Sequence, residues 1–359
     1  MTALRVHVVD PSAYTPPYDH ALCAALARAG ARPTLVTSRF AYGDVPVPEG
    51  YAVHEAFYRS TPGAAGSRLR RAAKLAAHVP DMLRERRAAE READVAHFQW
   101  LSVQALDARL LPRRVPVGLT AHDVLPREPR PGQRDAQRRL YDRVDAVVVH
   151  SEHGRERLTG DLGVDPAKVT VIPHGVFVHL LRAGPGVLPA ELERTERPVV
   201  LMFGLLRPYK GLDVLLEAWR GIDDAELWVV GLPKMDITAL KASAPAGVRF
   251  VERFVGDEEI PALFGRADLV VLPYREIDQS GVLFTALAFG RPLLLSAVGG
   301  FPEIAAEGAA ETVPPGDPDA LREALRRLLG DAAARERLTA AARAIADGAW
   351  SWDAVALEG

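Results

Sequence analysis

Short β-branched apolar runs alternate with stretches of helical periodicity along most of the chain. In the first half the runs are Arg5–Val9, Thr34–Thr37, Val95–Phe98, Val117–Thr120, Ala146–Val149 and Val169–Ile172. The second half repeats them at Val199–Phe203, Glu226–Val230, Val248–Val251, Leu269–Leu272 and Leu293–Leu295. This alternation is typical of parallel strands covered by helices on both faces. It predicts an α/β protein with two Rossmann-like, doubly wound domains whose strand ends face a cleft.

The segment 177–197 lacks this periodicity and contains Gly184–Gly186 and Pro189, which suits an interdomain linker. We therefore predict an N-terminal domain at residues 1–190, which includes the linker, and a C-terminal domain at residues 191–345.

Residues 346–359 are predicted to form a separate terminal helix, because Trp350–Asp353 follows a break at Gly348. A further helix is predicted to begin at Asp317-Pro318, where Asp is a favourable cap and Pro suits the first helical position.

Composition narrows the possible classes of function. The 359 residues, 48% of them hydrophobic and 25% charged, fit an ordinary globular protein, and a formal charge of −3 gives no reason to expect nucleic acid. The one cysteine, Cys23, lies in an apolar pattern, so we predict a buried filler and a reducing, cytoplasmic environment. A secretion leader and a membrane-spanning run are not expected from the pattern.

In open parallel sheets, ligands bind at the loops beyond the carboxyl ends of the strands. Val199–Phe203 is followed by Gly204, Arg207, Lys210 and an apolar helix. A helix N-terminus disfavours cations, so their presence there indicates an anionic ligand such as a diphosphate. Two solvated loop cations are the alternative reading.

A second such loop follows Leu269–Leu272 and leads through Gln279 and Ser280 to Gly281, Val282 and Leu283. Glycine before an apolar helix permits close approach of a phosphate or sugar, with Ser280 as a possible cap, although a tight turn explains it equally well. Glu303, in the loop after the next strand, could line the same rim.

Four motifs of the chain resemble those of the retaining nucleotide-sugar glycosyltransferases of family 4. They are FGLLRPYKGLDVLLEAW, ADLVVLPYREIDQSGVLFTALAFGRPLLLSAVGGFPEI, VTVIPHGV and the terminal WSWD. That family has the two-domain GT-B fold, and the resemblance implies that the terminal helix from Trp350 crosses back onto the N-terminal domain. The resemblance implies that Arg207 and Lys210 hold the donor diphosphate, that the backbone at Gly281–Leu283 contacts phosphate and sugar, and that the base lies near Arg253 and Phe254.

The chain departs from the family pattern at two positions. Relatives commonly carry a pair of glutamates in the second loop, whereas the later position here is Thr285 and the earlier one is Ile277. A subset of the family has Gln-Ser-Gly at this place, and this chain resembles that subset at Gln279–Gly281. The resemblance associates the later glutamate with recognition of the donor ribose, and Thr285 stands at that position here.

The N-terminal domain contributes a second set of candidates. Tyr18 and Asp19 are predicted just before the first helix, where they could bind an acceptor, although Asp19 could equally be an N-cap. His122 lies two residues after the run Val117–Thr120, at the end of a predicted strand, and the resemblance implies that it contacts the transferred sugar. A structural histidine bonded to its own loop is the alternative.

The sequence has no obvious metal or cofactor site. Its histidines are scattered, and the D-x-D at Asp317–Asp319 is explained as a helix start, so metal independence is expected. The stretch Ser67–Glu92 holds eight basic and four acidic residues. We predict a basic helix that is either a solvated outer helix, because its stripe at Leu69, Ala72, Ala73 and Ala76 is mostly alanine and is interrupted by Pro80, or a peripheral membrane contact through that stripe.

Together these features predict a retaining glycosyltransferase that moves a sugar from a nucleotide-diphosphate sugar, as co-substrate, to an acceptor hydroxyl. Two alternatives stay open: a nucleotide-sugar epimerase of the same fold, and a non-catalytic sugar-nucleotide-binding subunit. A dehydrogenase is disfavoured because the G-x-G-x-x-G fingerprint is absent.

Overall fold

A computed structural model describes residues 3–41, 44–59, 61, 67–101, 103–125 and 131–358. Within them the chain divides into two compact units, one formed by residues up to Pro173 together with Trp352 onward, the other by His174–Ser351. No helix in the described ranges is long and apolar enough to cross a membrane.

The first unit is a parallel sheet flanked by helices. Its strands are β1 (Arg5–Asp10), β2 (Arg32–Ser38), β3 (Ala52–Phe57), β4 (Val95–Phe98), β5 (Val117–Thr120), β6 (Ala146–Val149) and β7 (Val169–Val171), and its helices are α1 (Pro16–Arg28), α2 (Arg68–Glu92), α3 (Gln104–Leu110), α4 (Gln133–Arg143) and α5 (Glu152–Glu156). The described strands lie in the order β3-β2-β1-β4-β5-β6-β7. The direction of winding therefore reverses between β1 and β4.

The second unit repeats the design. Its strands are β8 (Val199–Phe203), β9 (Glu226–Val230), β10 (Val248–Val251), β11 (Leu269–Leu272), β12 (Leu293–Ser296) and β13 (Ala310–Val313), and its helices are α6 (Leu212–Ala218), α7 (Thr238–Ala242), α8 (Ile260–Arg266), α9 (Gly281–Ala288), α10 (Phe301–Ala306), α11 (Pro318–Gly330) and α12 (Ala332–Asp347). The parallel order β10-β9-β8-β11-β12-β13 places the reversal between β8 and β11. The central strands are apolar on both faces, as helices on both sides require.

The predicted Rossmann-like fold class is confirmed, and each predicted strand lies within two residues of an observed one. Two edge strands, β3 and β13, were not predicted. Four of the six residues of β3 are exposed, so this strand lacks the apolar run that marks the others. Asp317 caps α11 as predicted, accepting from the N–H groups of Asp319 and Ala320.

The boundary between the two units lies earlier in the chain than the sequence indicated. The division lies at Pro173, not near residue 190, because the short 3₁₀ segment Val178–Ala183 packs against α8 and α9 of the second unit. The final helix, α13 (Trp352–Glu358), belongs to the first unit and packs on α1. Arg28 forms an ion pair with Asp353, and the Tyr18 and Trp352 rings lie 4.9 Å apart. Gly359 and residues 1–2, inside the predicted domain ranges, lie outside the described residues.

The basic helix does not end at Pro80. Helix α2 continues from Arg68 to Glu92 with Pro80 inside it. Its buried side chains are His78, Asp81, Met82, Glu85 and Ala89, which recur at helical spacing. This buried stripe on both sides of the proline holds the helix against the sheet and offsets the single backbone hydrogen bond that proline cannot make.

Candidate functional site

The phosphate-binding candidates of the second unit lie on two neighbouring loops at the strand-order reversal. The loop after β8 carries Arg207 and Lys210, and the loop after β11 leads through Gln279 and Ser280 into α9. Because β8 and β11 are adjacent and parallel, both loops leave the same edge of the sheet. The backbone N–H of Arg275 donates to the Tyr209 carbonyl at 2.7 Å, which fastens one loop to the other.

Two glycines permit this close approach. Gly211 has φ +69°, and a Cβ there would lie 2.0 Å from the Pro273 carbonyl oxygen of the other loop. Gly204 has φ +101°, and a Cβ there would lie 2.8 Å from Lys210 Nζ and 3.1 Å from Val282 Cγ2. Only glycine fits these positions without displacing a neighbour. The structure thus brings Gly204, Lys210 and Val282 together.

Lys210 is only 6% exposed, which is unusual for a lysine. Its Nζ lies 3.5 Å from the Phe203 carbonyl oxygen and 5.1 Å from the centroid of the Tyr274 ring. Neither Lys210 nor the exposed Arg207 has a carboxylate partner among the described residues. Burial of an ammonium is costly without a counter-charge, so the site is suited to an anionic ligand.

The start of α9 presents its first-turn backbone to the same loops. Ser280 occupies the N-cap position, but its side chain makes no capping hydrogen bond, so the predicted cap is corrected. Gly281 is exposed, and a Cβ there would meet only Phe177, at an ordinary 3.6 Å. Protein packing therefore does not require a glycine at position 281, whereas close approach of a ligand would. Val282 is half-buried and Leu283 is buried in the core.

Thr285 cannot replace the missing glutamate from its observed position. Its hydroxyl donates to the Gly281 carbonyl at 3.0 Å, one turn back in α9, and the side chain is 7% exposed. The loop before α10 adjoins the same region, since a Cβ on Gly299 would lie 1.9 Å from the Ile277 carbonyl oxygen. Glu303 is half-buried in the first turn of α10.

Arg253 and Phe254 occupy the loop after β10. The Arg253 guanidinium is bonded to both Glu191 and Glu259, with N–O distances of 2.8 and 2.7 Å, and these carboxylates raise its pKa. Its charge is therefore already balanced within the protein. The Phe254 side chain is 63% exposed and leaves a free aromatic face.

In the first unit, His122 lies in a cluster of rings at the carboxyl end of β5. Its ring is stacked on Trp100 at 4.8 Å and lies edge-on to Tyr18 at 4.7 Å. His150 Nε2 lies 3.2 Å from His122 Nδ1, and His150 Nδ1 lies 3.0 Å from the Ile172 carbonyl oxygen. Burial lowers the pKa of His150 to about 4, which keeps it neutral.

These contacts engage both ring nitrogens of His122 and fix the role of Nδ1. Neutral His150 donates from Nδ1 to the carbonyl of Ile172, so its Nε2 accepts from His122 Nδ1. His122 Nε2 lies 3.1 Å from the side-chain oxygen Oε1 of Gln99. Gln99 and Trp100 were missed by the sequence analysis, although both directly follow β4, a strand end of the kind that identified His122.

The placement predicted for Tyr18 and Asp19 is wrong. Helix α1 begins at Pro16, so both residues lie in its first turn, and Asp19 is not an N-cap because Thr15 occupies that position. Proline suits the first helical turn, which starts the helix earlier than expected. Tyr18 is packed between His122 and Trp352, and Asp19 is buried with a hydrogen bond to Asp10.

The buried Asp10–Asp19 pair predicts a pH-dependent stability. Burial and the neighbouring carboxylate raise the pKa of Asp19 well above its ordinary value, and burial raises that of Asp10. The folded chain then holds a proton that the unfolded chain releases, so the free energy of unfolding falls as pH rises above about 4. We expect Asp19→Asn to raise the melting temperature at pH 7.5 by several degrees and to flatten this dependence.

Thermal unfolding followed from pH 4 to 8 checks this expectation. Asp135→Asn, at an exposed aspartate in the first turn of α4, is the matched control and should leave the dependence unchanged. A variant Asp19→Asn that is less stable than the parent at pH 7.5 would contradict the shared proton.

Among the described residues, no group of three or more His, Cys, Asp or Glu side chains could hold a metal ion. Cys23 is buried as a free thiol, and burial raises its pKa well above the ordinary value. The described side chains thus offer anion-binding chemistry in the second unit and a histidine cluster in the first.

Two Rossmann-like parallel-sheet units in one chain are the architecture of the GT-B class. The model for "Glycosyltransferase Family 4" matches residues 18–180, and that for "Glycosyl transferases group 1" matches residues 197–331. The chain belongs to the family 4, group 1 type of glycosyltransferases.

Curated relatives include a GDP-mannose:glycolipid 4-beta-D-mannosyltransferase of Xanthomonas campestris, which is 30% identical over 60% of this chain and 66% of its own. A GDP-mannose-dependent phosphatidylinositol monomannoside mannosyltransferase of Mycolicibacterium smegmatis is 30% identical over 62% of this chain and 63% of its own. The match thus spans less than two thirds of the length of these relatives.

Solved structures agree over nearly the full length. A sucrose-phosphate synthase from Thermosynechococcus elongatus has a TM-score of 0.74 at 20% identity and covers 99% of this chain and 97% of its own. Anabaena HepE, solved with UDP-glucose, has a TM-score of 0.71 at 18% identity and covers 99% and 98%. At these identities the likeness establishes the fold.

Proposed function

We propose that the protein transfers a sugar from a nucleotide-diphosphate sugar to an acceptor hydroxyl. The observation that carries this proposal is the buried, carboxylate-free Lys210 beside Arg207, on a loop joined to the loop that starts α9. A diphosphate supplies the missing negative charge. Family membership supports the same assignment.

The same groups would act in the reaction. As the anomeric bond breaks, negative charge grows on the leaving diphosphate, and cations already held in place stabilise that charge without reorganising. Arg207 and Lys210 would supply full charges, and the first-turn N–H groups of α9 would supply hydrogen bonds. We propose retention of configuration by front-face attack, with the leaving phosphate accepting the acceptor's proton, and no requirement for a metal or other cofactor.

The nucleoside end of the donor would be held differently from that of relatives with the glutamate pair. With Thr285 bonded to its own helix, ribose contacts would come from Glu303 or from backbone. Because Arg253 is balanced by two carboxylates, the exposed ring of Phe254 is the better candidate for contact with the base. We propose GDP-mannose as the first donor to test, on the names of the curated relatives.

His122 is proposed as the contribution of the first unit. Its Nδ1 is committed to His150, and its ring is clamped by Trp100 and Tyr18, so the orientation of its second nitrogen is set in advance. A positioned imidazole of this kind can bind a sugar hydroxyl. The buried Tyr18 packs against His122, and Asp19 is bonded to Asp10, whose carboxylate accepts from the backbone of the loop before α1. The acceptor role of Tyr18 and Asp19 stays a prediction.

A panel of sugar nucleotides tests the proposal. Purified protein is incubated with GDP-, UDP-, ADP- and dTDP-sugars, with and without chelator, and nucleotide release and sugar transfer to lipid and small-molecule acceptors are measured. Transfer from at least one donor, undiminished by chelator, is expected. Sugar isomerisation without acceptor would instead establish the epimerase, and binding without turnover would establish the non-catalytic subunit.

We also propose that the first half of α2 contacts a membrane surface on the cytoplasmic side. Leu69 and Leu75 are 62% and 58% exposed on this helix, next to the exposed Arg68 and Arg71. Apolar side chains flanked by cations suit the interface of an anionic bilayer. The curated relatives named above act, by their names, on glycolipid and phosphatidylinositol acceptors.

Vesicle sedimentation measures this contact. Leu69→Ser with Leu75→Ser should weaken binding to vesicles containing phosphatidylglycerol about tenfold or more, because each buried leucine contributes about 1.5 kcal/mol or more. Leu181→Ser with Leu357→Ser, at exposed leucines elsewhere, is the control. Equal loss in both pairs, or no binding by the parent protein, would refute the contact.

A further inference from the structure

The first unit contains a cavity of about 640 Å³ between the second half of α2 and the strands β1, β2 and β3. None of its lining residues was assigned to the candidate site. Six arginines line it, against three carboxylates: Arg5, Arg32, Arg59, Arg84, Arg87 and Arg91, with Asp81, Glu85 and Glu92. A cavity of this size accommodates a small organic ligand.

The cavity places like charges opposite each other. Arg5 and Arg32 are direct register partners on the parallel strands β1 and β2. Like charges at directly opposite positions of neighbouring strands destabilise a sheet. Arg5 is neutralised by Asp94 at 2.7 Å, whereas Arg32 has no carboxylate partner among the residues that the structure describes.

Two more arginines of the cavity also lack a carboxylate partner. Arg59 donates to the Glu55 backbone carbonyl, and neither it nor Arg87 forms an ion pair within the described part of the chain. The other two lining arginines are paired, Arg84 with Asp81 at 2.6 Å and Arg91 with Glu92 at 3.5 Å. Three uncompensated guanidinium groups, Arg32, Arg59 and Arg87, therefore border one cavity.

The cavity has a polar, buried interior. His7 Nδ1 lies 2.8 Å from Glu85 Oε1, and both side chains are almost fully buried. The Glu85 carboxylate contacts the imidazole and forms no ion pair with Arg32, Arg59 or Arg87 in the described part of the chain. A ligand entering the cavity would meet positive charge at the rim and a histidine below it.

We propose that this cavity binds a phosphorylated small molecule that carries at least two phosphate groups. Guanidinium forks match phosphate oxygens in paired hydrogen bonds, and three of them on separate elements suit clustered phosphates better than one carboxylate. The phosphates could belong to a free metabolite or to a phosphorylated lipid headgroup, and the chemistry recognised is the same. The site is distinct from the loops that hold Arg207 and Lys210, and it does not depend on the proposed transfer activity.

Calorimetry with inorganic tripolyphosphate tests the proposal. Because the loops of the second unit are also expected to bind it, the full chain carrying Arg207→Ala and Lys210→Met serves as the parent. In this background Arg32→Gln with Arg87→Gln should weaken binding about tenfold or more, since two charge-assisted contacts are lost. Arg138→Gln with Arg139→Gln, which removes two exposed arginines of α4 outside both the cavity and the proposed membrane contact, should change the affinity less than twofold.

Vesicles containing a phosphorylated inositol lipid form the second arm. Tripolyphosphate binding lost only in the cavity variant identifies a free phosphorylated ligand. Vesicle binding lost only in that variant, without tripolyphosphate binding by the parent, identifies a lipid headgroup. If neither probe binds the parent, or if both variant pairs lose binding equally, the proposal is overturned. Far-ultraviolet circular dichroism and melting temperatures confirm that each variant is folded.

Discussion

Nucleotide-diphosphate affinity should fall at least about a hundredfold when Arg207→Ala and Lys210→Met are combined. Each charge-assisted contact to phosphate contributes about 1.5–3 kcal/mol, so losing two removes about 3 kcal/mol or more. The apo protein should be as stable as the parent or more stable, because the substitution removes a buried ammonium that has no carboxylate partner in the described structure. Methionine keeps most of the apolar stem of the lysine and avoids a cavity.

Titration with the nucleotide diphosphate identified in the panel measures the change. Arg220→Ala with Lys241→Ala removes the same charge from exposed positions of the second unit and is the matched control. Unchanged affinity in the site variant, or equal losses in both, would refute the phosphate site. Lower affinity together with equal or greater thermal stability is the result expected only of a binding site that is strained without its ligand.

Gly211→Ala is expected to lower the stability of the second unit and to abolish nucleotide binding together. The new methyl group would lie 2.0 Å from the Pro273 carbonyl oxygen, so the β8 loop must move away from the β11 loop. A left-handed alanine alone costs about 1–2 kcal/mol, and the clash with backbone adds to that cost. Displacement of the loop also separates Lys210 from the start of α9.

Gly316→Ala provides the matched control for the backbone conformation. Gly316 has φ +75°, close to the φ of Gly211, but a Cβ there meets nothing within 4 Å. Chemical denaturation and nucleotide titration of both variants separate the two contributions. We expect Gly316→Ala to lose only the free energy of the left-handed backbone conformation and to bind nucleotide normally. Equal losses of stability and nucleotide affinity in the two variants would mean that the contact between the loops does not matter.

The sequence predicted most of the fold because the signal for a buried parallel strand is strong. A run such as Leu269–Leu272 is apolar on both faces, which is typical of a strand buried in a parallel sheet. Edge strands lack this signal: β3 alternates weakly and is mostly exposed, and β13 contains Glu311 and Thr312. The helical pattern of α2 was recognised, but its buried stripe includes Asp81 and Glu85, which a hydrophobic pattern cannot identify.

The candidate site was predictable where it depends on position in the topology. Loops at the carboxyl ends of adjacent strands meet whatever their sequence, and this rule located Arg207, Lys210 and Gly281. Side-chain orientation is decided by contacts from distant parts of the chain, which local patterns do not contain. The inward-facing hydroxyl of Thr285, the double ion pair of Arg253 and the burial of Asp19 against Asp10 are all of this kind.

The return of α13 to the first unit has a consequence for how the protein is made. Trp352 packs against Tyr18, and Tyr18 in turn contacts His122, yet the chain must complete the whole second unit before Trp352 is synthesised. The first unit therefore cannot reach its final packing during translation of its own strands. Severing the chain at Pro173 would leave that unit without one of its helices, so separating the units requires α13 to be supplied through a new connection.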